Sequence, residues 1–289
     1  MKRIAVFVLL MVFSFGRVLA QTEAKEIKEQ MVVPLSEPGK AFKVIAHVMH
    51  SSLRVVGYEG KDVVINVTGE AHKRDASGGS GSNASSGNAS SGSGGSGSMR
   101  RIGGNSGGEI TAEEDNNTVT INTGLSRFSM IEVKVPQGTA TLNLGAINDG
   151  SIVVENVSGQ LEVNNVNGPI TLTNVAGSVV ATTVNGDVVV GLKSVDPQAP
   201  MAFSTLNGKI DVAFPPAFKA NLKLKAEHGD IFSDFDIEVA HDKPNVNKSS
   251  EGHMYKINID EWVYGKINGG GPEMMMKTTF GSVYIRKGK

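Results

Sequence analysis

The sequence has 289 residues, a formal net charge of −1, no cysteine and an aromatic content of 6%. Because it lacks a basic stripe, it lacks the electrostatic footprint of a nucleic-acid-binding protein, and we expect no nucleic acid partner. The absence of cysteine excludes disulfide bonds and acylation at a lipobox cysteine.

Residues 1–20 have the pattern of a secretory signal peptide. Lys2 and Arg3 precede the apolar stretch IAVFVLLMVFSF, and small residues suited to cleavage end at Ala20. A transmembrane anchor is the alternative, but this stretch is shorter than the roughly twenty residues that a membrane-spanning helix needs. We therefore predict cleavage after Ala20 and an exported protein, in the periplasm, at the outer surface or secreted. We expect no stable membrane insertion after cleavage.

Residues 21–40 form a charged leader, and strand patterns begin near residue 41. Residues 76–108 are rich in Gly and Ser, and have too few apolar side chains to offset the entropy cost of ordering. Strand patterns of the same character lie on both sides of this segment. We therefore interpret 76–108 as a disordered insertion within one domain that spans 41–289. A linker between two domains is the alternative.

The most regular feature is a glycine at every ninth position from 150 to 186. Around these glycines apolar residues alternate with polar ones, as at Val166, Ile170 and Leu172, and this alternation predicts strands with one buried face. A nine-residue unit has no room for a crossover helix, so layered βαβ folds are excluded. An antiparallel meander and a solenoid of stacked coils remain.

The residue before each glycine distinguishes these two arrangements. An Asn or Asp at 149, 167 and 185 alternates with a small residue at 158 and 176, so the true period is 18 residues. Asn156 and Asn174 are separated by the same interval. A meander has no reason to repeat at this distance, whereas one coil of a solenoid with two unlike sides does. We predict that Asn167 and Asn185 lie above one another, with Asp149 in the same column.

Three further copies follow at less regular intervals. Asn207-Gly208 lies 22 residues after the preceding copy, His228-Gly229 lies 21 residues later, and Phe280-Gly281 is a last copy near the C-terminus. The predicted fold is therefore all-β, a right-handed parallel β-solenoid or β-helix with about 18–22 residues per coil. The predicted structural repeat positions are Gly150, Gly159, Gly168, Gly177, Gly186, Gly208, Gly229, Asn167, Asn185 and Asn207.

Two formal motif matches lie in the Gly/Ser-rich segment. Residues 92–97 fit the dinucleotide pattern GxGxxG, and residues 104–108 fit the nucleophile pattern GxSxG. Both motifs need a strand before and a helix after them to form a phosphate site or a strained serine. Neither has that context, and we assign no catalytic or cofactor-binding residue and no cofactor.

The titratable residues show no compact metal motif. His47 and His50 are three apart, which in a strand directs them to opposite faces, and His228 is a corner residue of the repeat. The acidic run Glu113-Glu114-Asp115 is interpreted as a solvated hairpin turn, with weak cation binding as the alternative. We therefore predict no metal-binding residue.

The residues predicted to face outward are small and mildly polar. Polysaccharide-cleaving β-helix enzymes need clustered carboxylates, or an Arg or Lys base with bound calcium, and no such cluster is present among them. Such a surface suits broad contact of low specificity, or a stiff spacer. The outward positions are Ser158, Gln160, Glu162, Asn167, Pro169, Thr171, Ser178, Val180, Asn185, Asp187 and Val189.

The repeat phrases resemble those of a bacterial adhesin-like domain family of unknown function. They are VSGQLEV at 157–163, VNGPITL at 166–172 and VNGDVVV at 184–190. Two other segments resemble the same family: SSLRVVGYEGKDVVINVTG at 51–69 and GKINGGGPEMMMKTTFGSVYIRK at 265–287. The resemblance implies a β-solenoid, an exported envelope location and an adhesive or envelope-associated role, and it supplies no catalytic residues.

The leading hypothesis is an exported, non-enzymatic β-solenoid protein with an adhesive or structural role in the cell envelope. Its partner would be a polysaccharide or protein of the envelope or cell surface. A carbohydrate-active β-helix enzyme is one alternative, and an accessory protein of envelope stress or signalling is another.

Overall fold

A computed structural model describes residues 26–70, 110–123, 128–148, 150–240, 245–251, 254–260 and 262–288. The predicted signal peptide with its cleavage at Ala20, the insertion at 76–108 and Asp149 lie outside the described residues. Within the described ranges the regular elements are all β-strands. No helix in these ranges is long and apolar enough to cross a membrane.

The strands alternate with short turns along the chain. In the N-terminal part they are β1 (Glu26–Val33), β2 (Phe42–Met49), β3 (Ser52–Tyr58), β4 (Val63–Glu70), β5 (Ile110–Asp115), β6 (Thr118–Thr123), β7 (Phe128–Pro136), β8 (Thr139–Ile147) and β9 (Ile152–Glu155). In the central part they are β10 (Ser158–Asn165), β11 (Ile170–Asn185), β12 (Val188–Val195), β13 (Met201–Asn207), β14 (Ile210–Phe214), β15 (Ala220–Ala226) and β16 (Ile231–Ser233). In the C-terminal part they are β17 (Ile237–Ala240), β18 (Asn245–Glu251), β19 (Met254–Asp260), β20 (Val263–Ile267), β21 (Glu273–Phe280) and β22 (Val283–Lys287).

The chain coils so that its strands stack on two sides. The first side has the order β5, β6, β2, β8, β10, second half of β11, β13, β21, β15, β20, β17. The second side has the order β1, β4, β7, β3, β9, first half of β11, β12, β14, β22, β16. The interior pairs are parallel, and antiparallel pairs lie toward the ends. The prediction of an all-β parallel solenoid is confirmed.

The eighteen-residue coil is visible in the strand register. Leu161 pairs with Val179 on the first side, and Ile170 pairs with Val188 on the second. All four side chains are buried, because alternate residues of both sides point into one shared interior. Stacking identical apolar positions supplies the burial that a single coil lacks.

Val166 differs from the sequence prediction, which placed it on the buried face. It is 39% exposed, while Asn165 is 4% exposed. The chain turns a corner at Asn167-Gly168, and the turn shifts the alternation by one residue. The buried position before the corner is therefore polar, and the valine lies outside.

The order of coils in the stack differs from their order in the sequence. On the first side β21 lies between β13 and β15, and on the second side β22 lies between β14 and β16. Arg286 fixes this coil by a paired contact with Asp211, Nε to Oδ1 at 2.6 Å and Nη2 to Oδ2 at 3.1 Å. The Asp211 carboxylate accordingly raises the pKa of Arg286. The Phe280-Gly281 copy, last in sequence, is thus an interior coil.

The charged leader also contributes to the fold. Strand β1 pairs antiparallel with β4 along its whole length, from Glu26↔Glu70 to Val33↔Val63. Val33 and Leu35 are part of the hydrophobic core. The predicted start of the domain at residue 41 therefore lies inside the fold. Lys28 and Glu29 are exposed on this edge strand, where charged side chains oppose pairing with another sheet. Their charge is the reason that the segment resembles a leader.

Candidate functional site

The first corner, where the chain passes from the first side to the second, is built on a column of stacked glycines. A Cβ atom on any of them would overlap the backbone carbonyl of the neighbour below, so only glycine allows the coils to approach this closely. The column begins above Ser51, and its order is Gly150, Gly168, Gly186, Gly208, Gly281 and Gly229.

A ladder of side-chain amides lies next to this column. Asn185 Nδ2 donates to Asn167 Oδ1 at 2.7 Å, and Asn207 Nδ2 donates to Asn185 Oδ1 at 2.7 Å. The next two coils carry rings in the same position: Phe280 and His228 stack with their centroids 4.7 Å apart. The repeated Asn residues therefore bond to one another along the solenoid, and His228 is a stacked corner residue.

Behind the glycines lies a second set of hydrogen bonds that the sequence analysis missed. Buried polar side chains donate to the carbonyl oxygen of the glycine one coil below, for example Thr205 Oγ1 to Gly186 O at 2.9 Å. The signal was available as a polar residue three positions before four of the six corner glycines, Gly168, Gly186, Gly208 and Gly281. The donor and acceptor pairs are Asn165 to Gly150, Thr183 to Gly168, Thr205 to Gly186 and Thr278 to Gly208.

The other predicted candidates have structural contacts. His47 Nε2 lies 3.1 Å from Asn143 Oδ1 on the outer surface, and His50 lies at a corner beside Asn148. Glu114 lies in the β5–β6 hairpin and accepts a hydrogen bond from Ser36 Oγ at 2.8 Å. Bonds from the Ser36 hydroxyl and amide lower the pKa of Glu114. Among the described residues, no three His, Cys, Asp or Glu side chains converge as a metal site.

The second corner, where the chain returns to the first side, begins with its own ladder. Gly177 stacks above Gly159, and Asn174 Nδ2 donates to Asn156 Oδ1. Both asparagines have left-handed backbone conformations, with φ of 55° and 57°. Asn tolerates this region because its short side chain bonds locally.

This second ladder ends at strand β12. Leu172 pairs with Val190, but the register then shifts, so that Val175 pairs with Leu192 and Ala176 with Ser194. Lys193 is the extra residue on β12 at this irregularity, and it is exposed. The amide column therefore ends at Asn174, and Lys193 lies near its end on the next coil.

Two concave surfaces lie along the second corner, and Lys193 belongs to the lining of both. Each has a volume of about 430 Å³. We call their union the corner groove. Its polar half is lined by Gly57, Pro136, Gln137, Gly138, Thr139, Asn156, Val157, Ser158, Asn174 and Lys193. Its apolar half is lined by Lys193, Ser194, Val195, Pro197, Pro215, Ala217, Phe218, Lys219, Gly270, Gly271 and Pro272.

The loops of the apolar half are held by specific contacts. Asn268, at φ 51°, donates its amide to Phe218 O at 2.7 Å. The backbone amide of Asn221 donates to Pro272 O at 3.0 Å, and its side chain bonds to Gly271 O. Phe218 is buried and stacks on Phe214 at a centroid distance of 4.2 Å. These contacts hold the loops that line the apolar half in place.

The groove was not found from the sequence. Its residues are far apart along the chain, and no short motif connects Lys193 with Lys219 and the Gly270-Gly271-Pro272 segment. The INGGGP phrase at 267–272 carried part of the family resemblance and gave no indication of a groove. What this segment lines follows only from the stacking of the C-terminal coil.

Comparison with known proteins identifies a family. The family described as Toastrack DUF4097 matches residues 43–261, and this match confirms the resemblance found in the repeat phrases. No curated protein matches the chain. A crystal structure of a "putative cell adhesion protein" from Clostridium sporogenes ATCC 15579 is similar with a TM-score of 0.44 and 11% identity, over 91% of this chain and 100% of that one.

Proposed function

The chain belongs to the Toastrack family, DUF4097, and from this premise we propose that it is an exported, non-enzymatic β-solenoid protein with an adhesive or structural role in the cell envelope. The proposal treats the solenoid as a rigid support and the corner groove as its binding surface. The Asn ladder and the glycine column of the first corner use their polar groups within the stack, so this corner provides stiffness.

The composition of the corner groove is the observation that carries this proposal. Its lining offers amides, hydroxyls, apolar carbons and two lysines, and it contains no Asp, Glu or His. Hydrolysis of a glycosidic bond uses a pair of carboxyl groups, and lysine-assisted cleavage in β-helix enzymes uses bound calcium. The groove lining supplies neither the carboxylate pair nor a carboxylate to hold calcium, and this supports binding over cleavage.

Cell fractionation tests the proposal. Native cells are separated into cytoplasm, envelope and medium, and the protein is located with an antibody. We expect a chain shortened at Ala20 that sediments with the envelope, and purified protein that rebinds to washed envelopes. Recovery of the protein in the cytoplasm, or free in the medium without rebinding, would contradict the proposal.

A further inference from the structure

We propose that the corner groove binds an acidic polysaccharide, whose negative groups contact Lys193 and Lys219. The inference rests on the proposed function and names the ligand class of its groove.

The corner groove is lined by positively charged side chains and no negatively charged ones. Lys193 and Lys219 are both exposed in the groove, and its lining contains no carboxylate. Neither lysine forms an ion pair with another described residue. Since the protein as a whole is close to neutral, two lysines without an ion pair in one lining are a local feature. This feature favours an anionic ligand.

The polar half of the corner groove presents both hydrogen-bond donors and acceptors. The bond from Asn174 to Asn156 uses one amide group and one carbonyl oxygen, so the NH₂ of Asn156 and the Oδ1 of Asn174 remain available. Gln137, Thr139 and Ser158 add an amide and two hydroxyls nearby. Groups that both donate and accept are suited to sugar hydroxyls, which do the same.

The groove suits a polysaccharide better than an acidic peptide. An extended peptide binds to a sheet through unpaired backbone groups at an edge. At the second corner two backbone amides are already used within the stack: Asn156 N donates to Thr173 O, and Asp196 N donates to Gly177 O, both at 3.1 Å. The groove therefore presents side chains, which favours a ligand that is recognised by hydroxyl and carboxylate groups.

The corner groove is elongated across successive coils of the solenoid. The lining runs across successive coils, from Ser158 past Ala176 to Ser194, and neighbouring strands in a sheet are about 4.8 Å apart. A ligand in the groove would lie along the solenoid axis. Val195, Pro197, Pro215 and Pro272 provide apolar carbons against which the C–H faces of sugar rings can pack. A linear polymer fits this path.

Titration calorimetry with the exported chain tests the inference. The probes are polygalacturonate as an acidic polysaccharide, dextran as a neutral one and poly-L-glutamate as an acidic peptide. The variants are Lys193→Gln, Lys219→Gln and their combination. The matched control is Lys209→Gln, which alters an exposed lysine at the first corner. Thermal unfolding confirms that each variant is folded.

We expect polygalacturonate to bind, with an affinity that falls as salt is raised. The double variant should bind about tenfold more weakly or worse, because charge-assisted contacts are among the stronger ones. Lys209→Gln should leave the affinity unchanged, and dextran and poly-L-glutamate should bind weakly or not at all. Equal loss in the control, no loss in the double variant, no polygalacturonate binding, or tighter binding of poly-L-glutamate would overturn the inference.

Envelope sedimentation separates this inference from the proposed function. If the wild-type chain and the double variant sediment equally with envelopes, the polysaccharide inference fails and the proposed function stands. If the wild-type chain does not sediment, the proposed function fails.

Discussion

Asn185 donates its side-chain amide to Oδ1 of Asn167, one coil of eighteen residues away, at a distance of 2.7 Å. Asn185 in turn accepts the amide of Asn207. A repeated Asn can therefore serve as both donor and acceptor in a continuous column. This use accounts for Asn at the corner without assigning it a ligand.

Asn185→Ala should lower the free energy of unfolding by about 1–2 kcal/mol, because it removes two side-chain hydrogen bonds whose net contributions are modest. Urea denaturation measures the change. Asn164→Ala is the matched control, since Asn164 is also exposed but lies outside the ladder, and its side-chain amide donates to Glu162 Oε1 at 3.4 Å. A stability loss in Asn164→Ala as large as in Asn185→Ala would show that the ladder has no special role.

The buried hydroxyl of Thr205 should matter for a different reason. The hydroxyl donates to Gly186 O. The nearby backbone amide of Lys209 donates to Asp187 Oδ1 and not to Gly186 O. Thr205→Val keeps the shape but leaves a buried carbonyl without this donor, and we expect a loss of about 1–3 kcal/mol in unfolding free energy.

Thr205→Ser provides the companion variant, because it retains the hydroxyl and removes a methyl group. If the hydrogen bond is responsible, the serine variant should be more stable than the valine variant in the same denaturation experiment. The reverse order would assign the role of Thr205 to packing.

Glu114 gives the fold a pH dependence of known sign. Hydrogen bonds from Ser36 lower its pKa from the ordinary value of 4.5. A carboxyl whose pKa is lower in the folded state stabilises the protein above its unfolded pKa, and this stabilisation is lost as pH falls through the folded value. Glu114→Gln should therefore reduce the urea midpoint near pH 6, and the difference from wild type should shrink near pH 3.

Glu113→Gln is the control for this pH series, since the Glu113 carboxylate contacts neither Ser36 nor Asn117. The difference in urea midpoint between Glu114→Gln and wild type should shrink on acidification. If it stays constant or grows, the hydrogen bonds from Ser36 to Glu114 are not its cause.

The coil length and the Asn column could be predicted because stacking imposes them directly on the sequence. Identical groups must lie above one another, so Asn167 and Asn185 recur at the length of one coil. The Val166 position was predicted wrongly because the alternation of buried and exposed residues shifts by one residue at the corner. A prediction that continues the two-residue period through the corner misses this shift.

The order of the coils could not be predicted, again for a physical reason. Each coil presents a glycine at the first corner, and any such coil can stack on any other. Nothing in the phrase at Phe280-Gly281 indicates that Gly281 lies between Gly208 and Gly229. The corner groove was missed as a consequence, since its apolar half depends on where this coil inserts.

The claim that the glycines specify stacking is tested most directly by the stability of Gly186→Ala against that of Gly191→Ala. A Cβ at Gly186 would overlap Gly168 O, whereas at Gly191 the nearest atom, Leu172 O, is 3.8 Å away. We predict that Gly186→Ala loses about 1–3 kcal/mol or more of unfolding free energy, as expected for overpacking, while Gly191→Ala is unchanged or slightly more stable. Equal stability of the two variants in urea denaturation would contradict the stacked architecture.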